Sequence, residues 1–186
     1  MIDPTSAKAE KFHLFIEPTG TLAEELSAII TQLAHEYGGP VFKPHITLLG
    51  GIPGNISEII ARSQAMADLL APFTLTLGKL DTRDMFFRAL FMHLREKEQM
   101  KKYHAQALEI FLAEDEEIYM PHLSLLYGNY PRSQKEETMT HLKTPQGSFF
   151  IVDILHLYRT EGEVENWQKI KDFKLTLQTD AKPKTF

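Results

Sequence analysis

Short apolar runs and helix-spaced apolar stripes alternate along this chain, in an order that repeats. Phe12-His13-Leu14-Phe15-Ile16, closed by Glu17-Pro18, predicts a strand. Thr21 with Glu24 forms a capping-box signature. Leu22, Leu26, Ile29, Ile30 and Leu33 then recur at helical spacing until Gly38-Gly39-Pro40 stops the helix. His45 to Leu49 predicts a strand ended by Gly50-Gly51. Asn55 or Ser57 caps a second helix carrying Ile59, Ile60, Met66, Leu69 and Leu70, which Pro72 ends. Phe73-Thr74-Leu75-Thr76-Leu77 alternates as a strand does. The order then restarts. Met85 to Leu94 predicts a strand. Met100, Tyr103, Ala107, Leu108, Phe111 and Leu112 form a helical stripe, followed by an acidic loop, Glu114 to Glu117. Met120 to Tyr127 predicts a strand, Ser133 to Leu142 a helix, and Phe149 to Tyr158 and Leu175 to Leu177 two late strands with Trp167 between them.

The pattern is β-α-β-α-β twice, over about 11–80 and 85–158, with a final strand near 170–178. No Gly/Ser/Pro linker separates the halves, so a single bilobal domain spanning 1–186 with one continuous core is expected. With 186 residues, 43% hydrophobic, the chain is long enough to bury a core without a metal or disulfide staple. It holds no cysteine, which excludes disulfides, thiol nucleophiles and Cys-ligated metals. The first residues lack a basic region followed by an apolar stretch, and no apolar run has membrane-spanning length. A cytoplasmic protein without membrane association is therefore the expectation. A net charge of −5 argues against wrapping long nucleic acid, which needs many Lys/Arg–phosphate contacts; a small anionic ligand needs only a few local donors.

The chemistry lies inside the repeat. Pro44-His45-Ile46-Thr47-Leu48-Leu49-Gly50 recurs as Pro121-His122-Leu123-Ser124-Leu125-Leu126-Tyr127-Gly128, the histidines 77 residues apart. Strand alternation puts His45 with Thr47, and His122 with Ser124, on one face. A lone strand histidine beside a hydroxyl is ordinarily structural. Two copies at matching places of a duplicated pattern point instead to a shared site. Across a pseudo-twofold axis, one imidazole can accept a proton from water and the other can donate one to a departing sugar oxygen. The two hydroxyls can hold the phosphoryl oxygens. Histidine suits both roles because its ordinary pKa lies near neutrality.

These motifs resemble the two-histidine phosphoesterase superfamily, whose hallmark is a pair of His-x-Thr/Ser motifs. Tyr119 to Tyr127 is similar to the second motif of its cyclic phosphodiesterase branch, and Gly39 to Thr47 to the first. Met85-Phe86-Phe87 and Glu165-Asn166-Trp167 agree more weakly. The resemblance spans about Phe12 to Leu177. It implies an α+β fold: a bilobal, pseudo-twofold duplication with two antiparallel sheets lining a central groove. It also implies metal-independent hydrolysis of a cyclic phosphodiester without a cofactor, with His45, Thr47, His122 and Ser124 as the catalytic tetrad. In that branch the substrate is ADP-ribose 1″,2″-cyclic phosphate, with nucleoside 2′,3′-cyclic phosphates as lesser substrates.

The branch places a tyrosine just after the second motif, here Tyr127, although strict alternation puts it opposite His122. Its plant members carry a tryptophan in the first strand beside the ligand. The matching position here is Phe15, which serves either as core or as a stacking surface. Phe87, from the aromatic stretch, and Arg88, a cation on the strand matching the first, complete the substrate-binding candidates. Lys43 reads as a solvated cation. His13, His35, His93, His104, His141 and His156 lack a hydroxyl at motif spacing and read as surface or core residues. No His-x-x-x-His pair suggests a metal and no Gly-rich loop suggests a bound polyphosphate. The expected partner is a small cyclic-phosphate nucleotide bound by a monomer, with no stable nucleic-acid complex. An enzyme acting on RNA ends and a non-catalytic nucleotide or RNA binder are the alternatives.

Overall fold

The computed structural model describes residues 11–114 and 118–176. Among these described residues eight strands and four helices follow in order: β1 (Lys11–Ile16), α1 (Gly20–Tyr37), β2 (Ile46–Pro53), α2 (Ile56–Asp68), β3 (Phe73–Thr82), β4 (Leu90–Leu94), α3 (Lys97–Phe111), β5 (His122–Leu126), α4 (Arg132–His141), β6 (Phe149–Val152), β7 (Ile154–Arg159) and β8 (Gln168–Lys174). The strands form one antiparallel sheet in the order β6-β3-β4-β5-β2-β1-β7-β8. At its middle, β5 and β2 share one rung, Ile46 with Leu123. Two four-stranded halves thus meet along a thin seam, and this α+β arrangement agrees with the expected fold class.

One half, β1, β2, β7 and β8, takes strands from both ends of the chain, and the other is made of the consecutive strands β3 to β6. β3 leaves the first half of the sequence to pair with β4, and β7 returns to pair with β1. The helices also cross: α1 packs near β5, and α3 near β2. The face they cover carries Ile46, Leu48, Leu123 and Leu125, none of them exposed. The alternate residues face the other way.

Several boundaries differ from the sequence pattern, for local reasons. The run from Phe149 to Tyr158 is two strands. β6 ends at Val152 and β7 begins at Ile154, and the two join opposite halves of the sheet, beside β3 and β1. Met85 to Leu94 is not one strand either: Phe86–Arg88 forms a 3₁₀ turn and only Leu90–Leu94 extends. That turn is held from both sides. Thr82 Oγ1 donates to Ala89 O at 2.6 Å, and the fully buried Lys135 donates to Arg83 O at 2.6 Å and pairs with Asp84 at 2.9 Å. Gly50-Gly51 does not end β2, which continues to Pro53 against β1 with a register shift. Helix α1 begins at Gly20 behind Thr19, without a side-chain cap; Asn55 does cap α2, accepting from Ser57 N at 2.8 Å. Gly38 ends α1 in the left-handed region (φ 70°), which favours glycine. The final strand is Gln168–Lys174; Leu175 and Thr176, expected in it, lie beyond its end, and Leu177 lies outside the described residues. Of the acidic loop, only Glu114 lies within the described residues.

Candidate active site

The single rung at the seam sets the geometry. Because Ile46 and Leu123 face each other in antiparallel register, the next residues bring His45 opposite Ser124 and Thr47 opposite His122. All four stand on the face away from the helices, at cross-strand spacings of roughly 5 Å between backbones. His45, Thr47, His122 and Ser124 line one cavity of about 400 Å³ together with Phe15, Phe87 and Tyr127.

Each histidine is oriented in the same way. His45 Nδ1 lies 2.7 Å from Lys43 O, and His122 Nδ1 lies 2.7 Å from Met120 O, each a carbonyl two residues back. A carbonyl only accepts, so Nδ1 carries the hydrogen and Nε2 is left to exchange protons. An aromatic ring backs each imidazole. Phe15, the β1 partner of Thr47, stacks on His45 at 4.0 Å; Phe91, the β4 partner of Ser124, meets His122 edge-on at 5.3 Å.

Burial lowers both imidazoles to about 4, and the hydrogen bonds to Lys43 O and Met120 O only partly oppose it. Beyond burial and these bonds the two differ. The Glu17 carboxylate favours the charged form of His45 and Lys43 disfavours it, whereas Arg88, His45 and His93 all disfavour the charged form of His122. The hydroxyls differ too. Ser124 Oγ donates to Phe87 O at 2.8 Å, while among the described residues Thr47 Oγ1 has no hydrogen-bond partner. Thr47 thus offers a free hydroxyl to the cavity, whereas Ser124 must turn away from Phe87 O to offer its own.

Tyr127 reaches the cavity because β5 ends at Leu126, which releases it from strict alternation. Its ring stacks on Phe42 at 3.8 Å and 11°, and its hydroxyl lies 3.4 Å from His45 Nε2. Burial raises the phenol far above its ordinary pKa, so it is a neutral donor. Tyr127→Phe is expected to lower kcat/KM by about tenfold, the scale of one hydrogen bond to a charged group, with little change in melting temperature. Steady-state kinetics and a thermal melt of this variant check both.

Phe15 is 2% exposed yet still forms part of the wall, so core and wall coincide there. Phe87, 54% exposed, stands at the mouth, edge-on to Tyr127 at 5.1 Å. Arg88 does not line the cavity among the described residues. It sits on the 3₁₀ turn rather than on a strand, with Nη1 3.8 Å from Met85 Sδ, and only its charge is felt at His122. Lys43 is not simply solvated, since its Nζ lies 2.5 Å from the buried Glu17 carboxylate.

His13, Lys11, Thr160 and Trp167, none of them among the expected binding residues, also line the cavity. His13 is within reach of sequence reasoning, because it stands two residues from Phe15 on β1 and shares its face. Its Nδ1 lies 2.6 Å from Thr160 Oγ1 and its Nε2 accepts from Gly51 N at 3.2 Å. A Cβ at Gly50 would come within 2.8 Å of the His13 ring, so glycine there permits the close approach. Trp167, which enters the resemblance only weakly, has no comparable local signal. It arrives from the β7–β8 connection and places its indole 6.0 Å from Phe15, so this chain does bring a tryptophan beside the first strand, from another element.

Among the described residues no three His, Cys, Asp or Glu side chains group as metal ligands, and no helix is long and apolar enough to cross a membrane.

Comparison with known proteins agrees with this geometry. An Arabidopsis thaliana protein named cyclic phosphodiesterase is 24% identical over 170 residues, covering 88% of this chain and 94% of its own. Escherichia coli LigT, in its complex with 3′-AMP, matches the fold with a TM-score of 0.64 at 17% identity over 91% of this chain and 99% of its own. A Thermus thermophilus protein matches with a TM-score of 0.63 at 18% identity, over 89% and 97% of the two chains. The model of the 2′-5′ RNA ligase superfamily matches residues 18–163, a span that contains both His-x-Thr/Ser motifs. With both motifs facing one cavity across the seam of a duplicated sheet, the chain belongs to the 2′-5′ RNA ligase superfamily and is a two-histidine phosphoesterase.

Proposed function

We propose that the protein hydrolyses the cyclic phosphodiester of a small nucleotide: ADP-ribose 1″,2″-cyclic phosphate to ADP-ribose 1″-phosphate, and nucleoside 2′,3′-cyclic phosphates to 2′-phosphates. The observation that carries this reading is the pair of imidazoles in one cavity, each fixed with Nδ1 on a carbonyl and each facing a hydroxyl across the seam.

The phosphate lies between the histidines, its non-bridging oxygens taking hydrogen bonds from Thr47, Ser124 and Tyr127. His122, in the field of Arg88, stays neutral and takes a proton from water as the water oxygen bonds to phosphorus. The P–O bond to the sugar breaks, and His45 gives its proton to the departing oxygen. One water is consumed and a phosphate monoester is released. In the free protein both imidazoles favour the neutral form. The entering phosphodiester anion supplies the charge that favours a proton on His45. Each transfer contributes about 10²–10⁴-fold.

The cyclic phosphodiesterase name of the Arabidopsis relative supports the same chemistry. One feature favours a longer substrate as a second reading. A neighbouring pocket of about 600 Å³ shares Lys11, Thr47 and Gly51 with the cavity, leaving room for the rest of an RNA end. The net charge of −5 favours the small substrate.

Incubation with ADP-ribose 1″,2″-cyclic phosphate, 2′,3′-cyclic AMP and a cyclic-phosphate-ended oligonucleotide, each with and without EDTA, tests these readings. The expected result is EDTA-resistant hydrolysis of the two small substrates, faster than that of the oligonucleotide. Turnover of the oligonucleotide alone would favour the RNA-end reading. Loss of activity with EDTA would refute a metal-independent reaction, and binding without turnover of any substrate would leave a nucleotide-binding module.

A further inference from the structure

The two halves are alike around their histidines and differ just behind them. Phe15 and Phe91 hold equivalent places, each paired across the strand with a motif hydroxyl residue. Two residues beyond them stand Glu17 and His93: Phe15-Ile16-Glu17 in one half, Phe91-Met92-His93 in the other. Where one half carries a carboxylate, the other carries an imidazole.

Glu17 is 7% exposed and fully engaged. Lys43 Nζ donates to Oε2 at 2.5 Å and the Tyr158 hydroxyl donates to Oε1 at 2.5 Å. His156 Nε2 lies 3.6 Å away, and its Nδ1 is 2.7 Å from Asp172. Burial pushes the Glu17 carboxyl upward, but Lys43, Tyr158 and His156 outweigh it and hold it ionised. Lys43 is also the residue whose carbonyl receives His45 Nδ1–H. One carboxylate therefore ties the segment from Lys43 to His45 to the ends of β1 and β7. The charged and titratable groups facing His45 are Glu17, Lys43, His13, Tyr127 and His122, and Glu17 is the anion among them.

We infer that Glu17 is a positioning residue for His45: through Lys43 it orients the imidazole, and its charge biases the pair so that His45 rather than His122 carries the proton. The catalytic consequence rests on the phosphodiesterase reading above; the effect on His45 itself does not. His93 cannot do the same for His122. Its Nε2 is bound to Asp81 at 2.7 Å, and as a neighbour it disfavours rather than favours the charged form of His122.

The test has a readout that needs no substrate. The titration of His45 and His122 is followed by the NMR signals of their ring Cε1–H groups in wild type, Glu17→Gln and Lys43→Met. The midpoint of His45 is expected to fall by roughly half a unit or more in Glu17→Gln and to rise in Lys43→Met, with that of His122 nearly unmoved. Opposite signs separate an electrostatic role from a merely structural one, which would move both variants alike. In kinetics, Glu17→Gln is expected to shift the basic limb of the kcat profile to lower pH with KM little changed, and Glu17→Asp to restore most of it. If Glu17→Gln fails to fold, the double variant Glu17→Gln/Lys43→Met, which removes both members of the ion pair together, takes its place, and its His45 midpoint is expected to lie below that of Lys43→Met. An unmoved His45 midpoint, or shifts of the same sign, would overturn the inference even if the enzyme hydrolyses cyclic phosphodiesters. The expected shifts without turnover of any such substrate would sink the functional reading and leave the placement of Glu17 standing.

Discussion

Alanine at either His45 or His122 is expected to lower turnover of a cyclic phosphodiester by about 10²-fold or more, and the double variant to lose little beyond the worse single one. The reason is that, in the mechanism proposed above, the two imidazoles act on one transition state. Without the base, the water is a poor nucleophile; without the acid, the sugar oxygen must leave as an alkoxide. Removing either forfeits most of what the pair provides. In that mechanism what survives comes from Thr47, Ser124 and Tyr127, which still hold the phosphate. The loss therefore falls on kcat more than on KM. Both variants must be shown folded, because His45 packs on Phe15 at 4.0 Å and truncation opens a void. His45→Gln and His122→Gln keep most of the volume and serve as companions. Steady-state kinetics with a thermal melt for each variant is the measurement. Near wild-type turnover in any folded variant removes that histidine from the mechanism.

The second large effect is on stability in acid. His13, His45 and His122 are each lowered to about 4, burial being the main cause in all three. The unfolded chain holds these imidazoles near 6.5, so between about 6.5 and 4 it binds protons that the folded chain refuses. Stability is therefore full above about pH 6.5 and falls as the pH drops toward 4. For His45, 6% exposed, the difference corresponds to about 3 kcal/mol at most, or roughly 10 °C in melting temperature for a chain of this size. Melts at pH 8, 6 and 4.5 are expected to show this decline. His45→Gln is expected to be less sensitive, since one of the three groups is gone. Saturating inorganic phosphate is expected to reduce the loss, because an anion between the imidazoles favours their charged forms. A melting temperature flat from pH 8 to 4.5 would show that the three rings are not held neutral by burial.

Local pattern makes much of this protein legible. Alternation alone places His45 with Thr47 and His122 with Ser124, because a strand side chain's face depends only on whether its position is odd or even. Helix stripes and their stops are legible for the same reason, being set by neighbours within a turn or two. The direction of Tyr127 depends on where its strand ends, and the end at Leu126 resolves it. The pattern misleads where distant partners decide. Phe149 to Tyr158 looks like one strand because every residue in it suits a strand. It breaks at Asp153 because β3 and β1, which pair with its two parts, lie in opposite halves of the sheet. Gly50-Gly51 looks like an end, yet pairing with β1 carries β2 through it. Phe87 and Arg88 suit a strand but lie in a turn held by Thr82 and Lys135.

By itself, then, the sequence determined which residue types recur, in which order and on which face, because those depend on chain-local geometry. Tertiary structure alone decided that the two motifs meet at one rung, that His13 and Trp167 join their wall, and that Glu17 and Lys43 stand behind His45 and not behind His122. These are contacts between residues far apart in the chain. Their energies come from burial and charge at the seam, which no local spacing encodes.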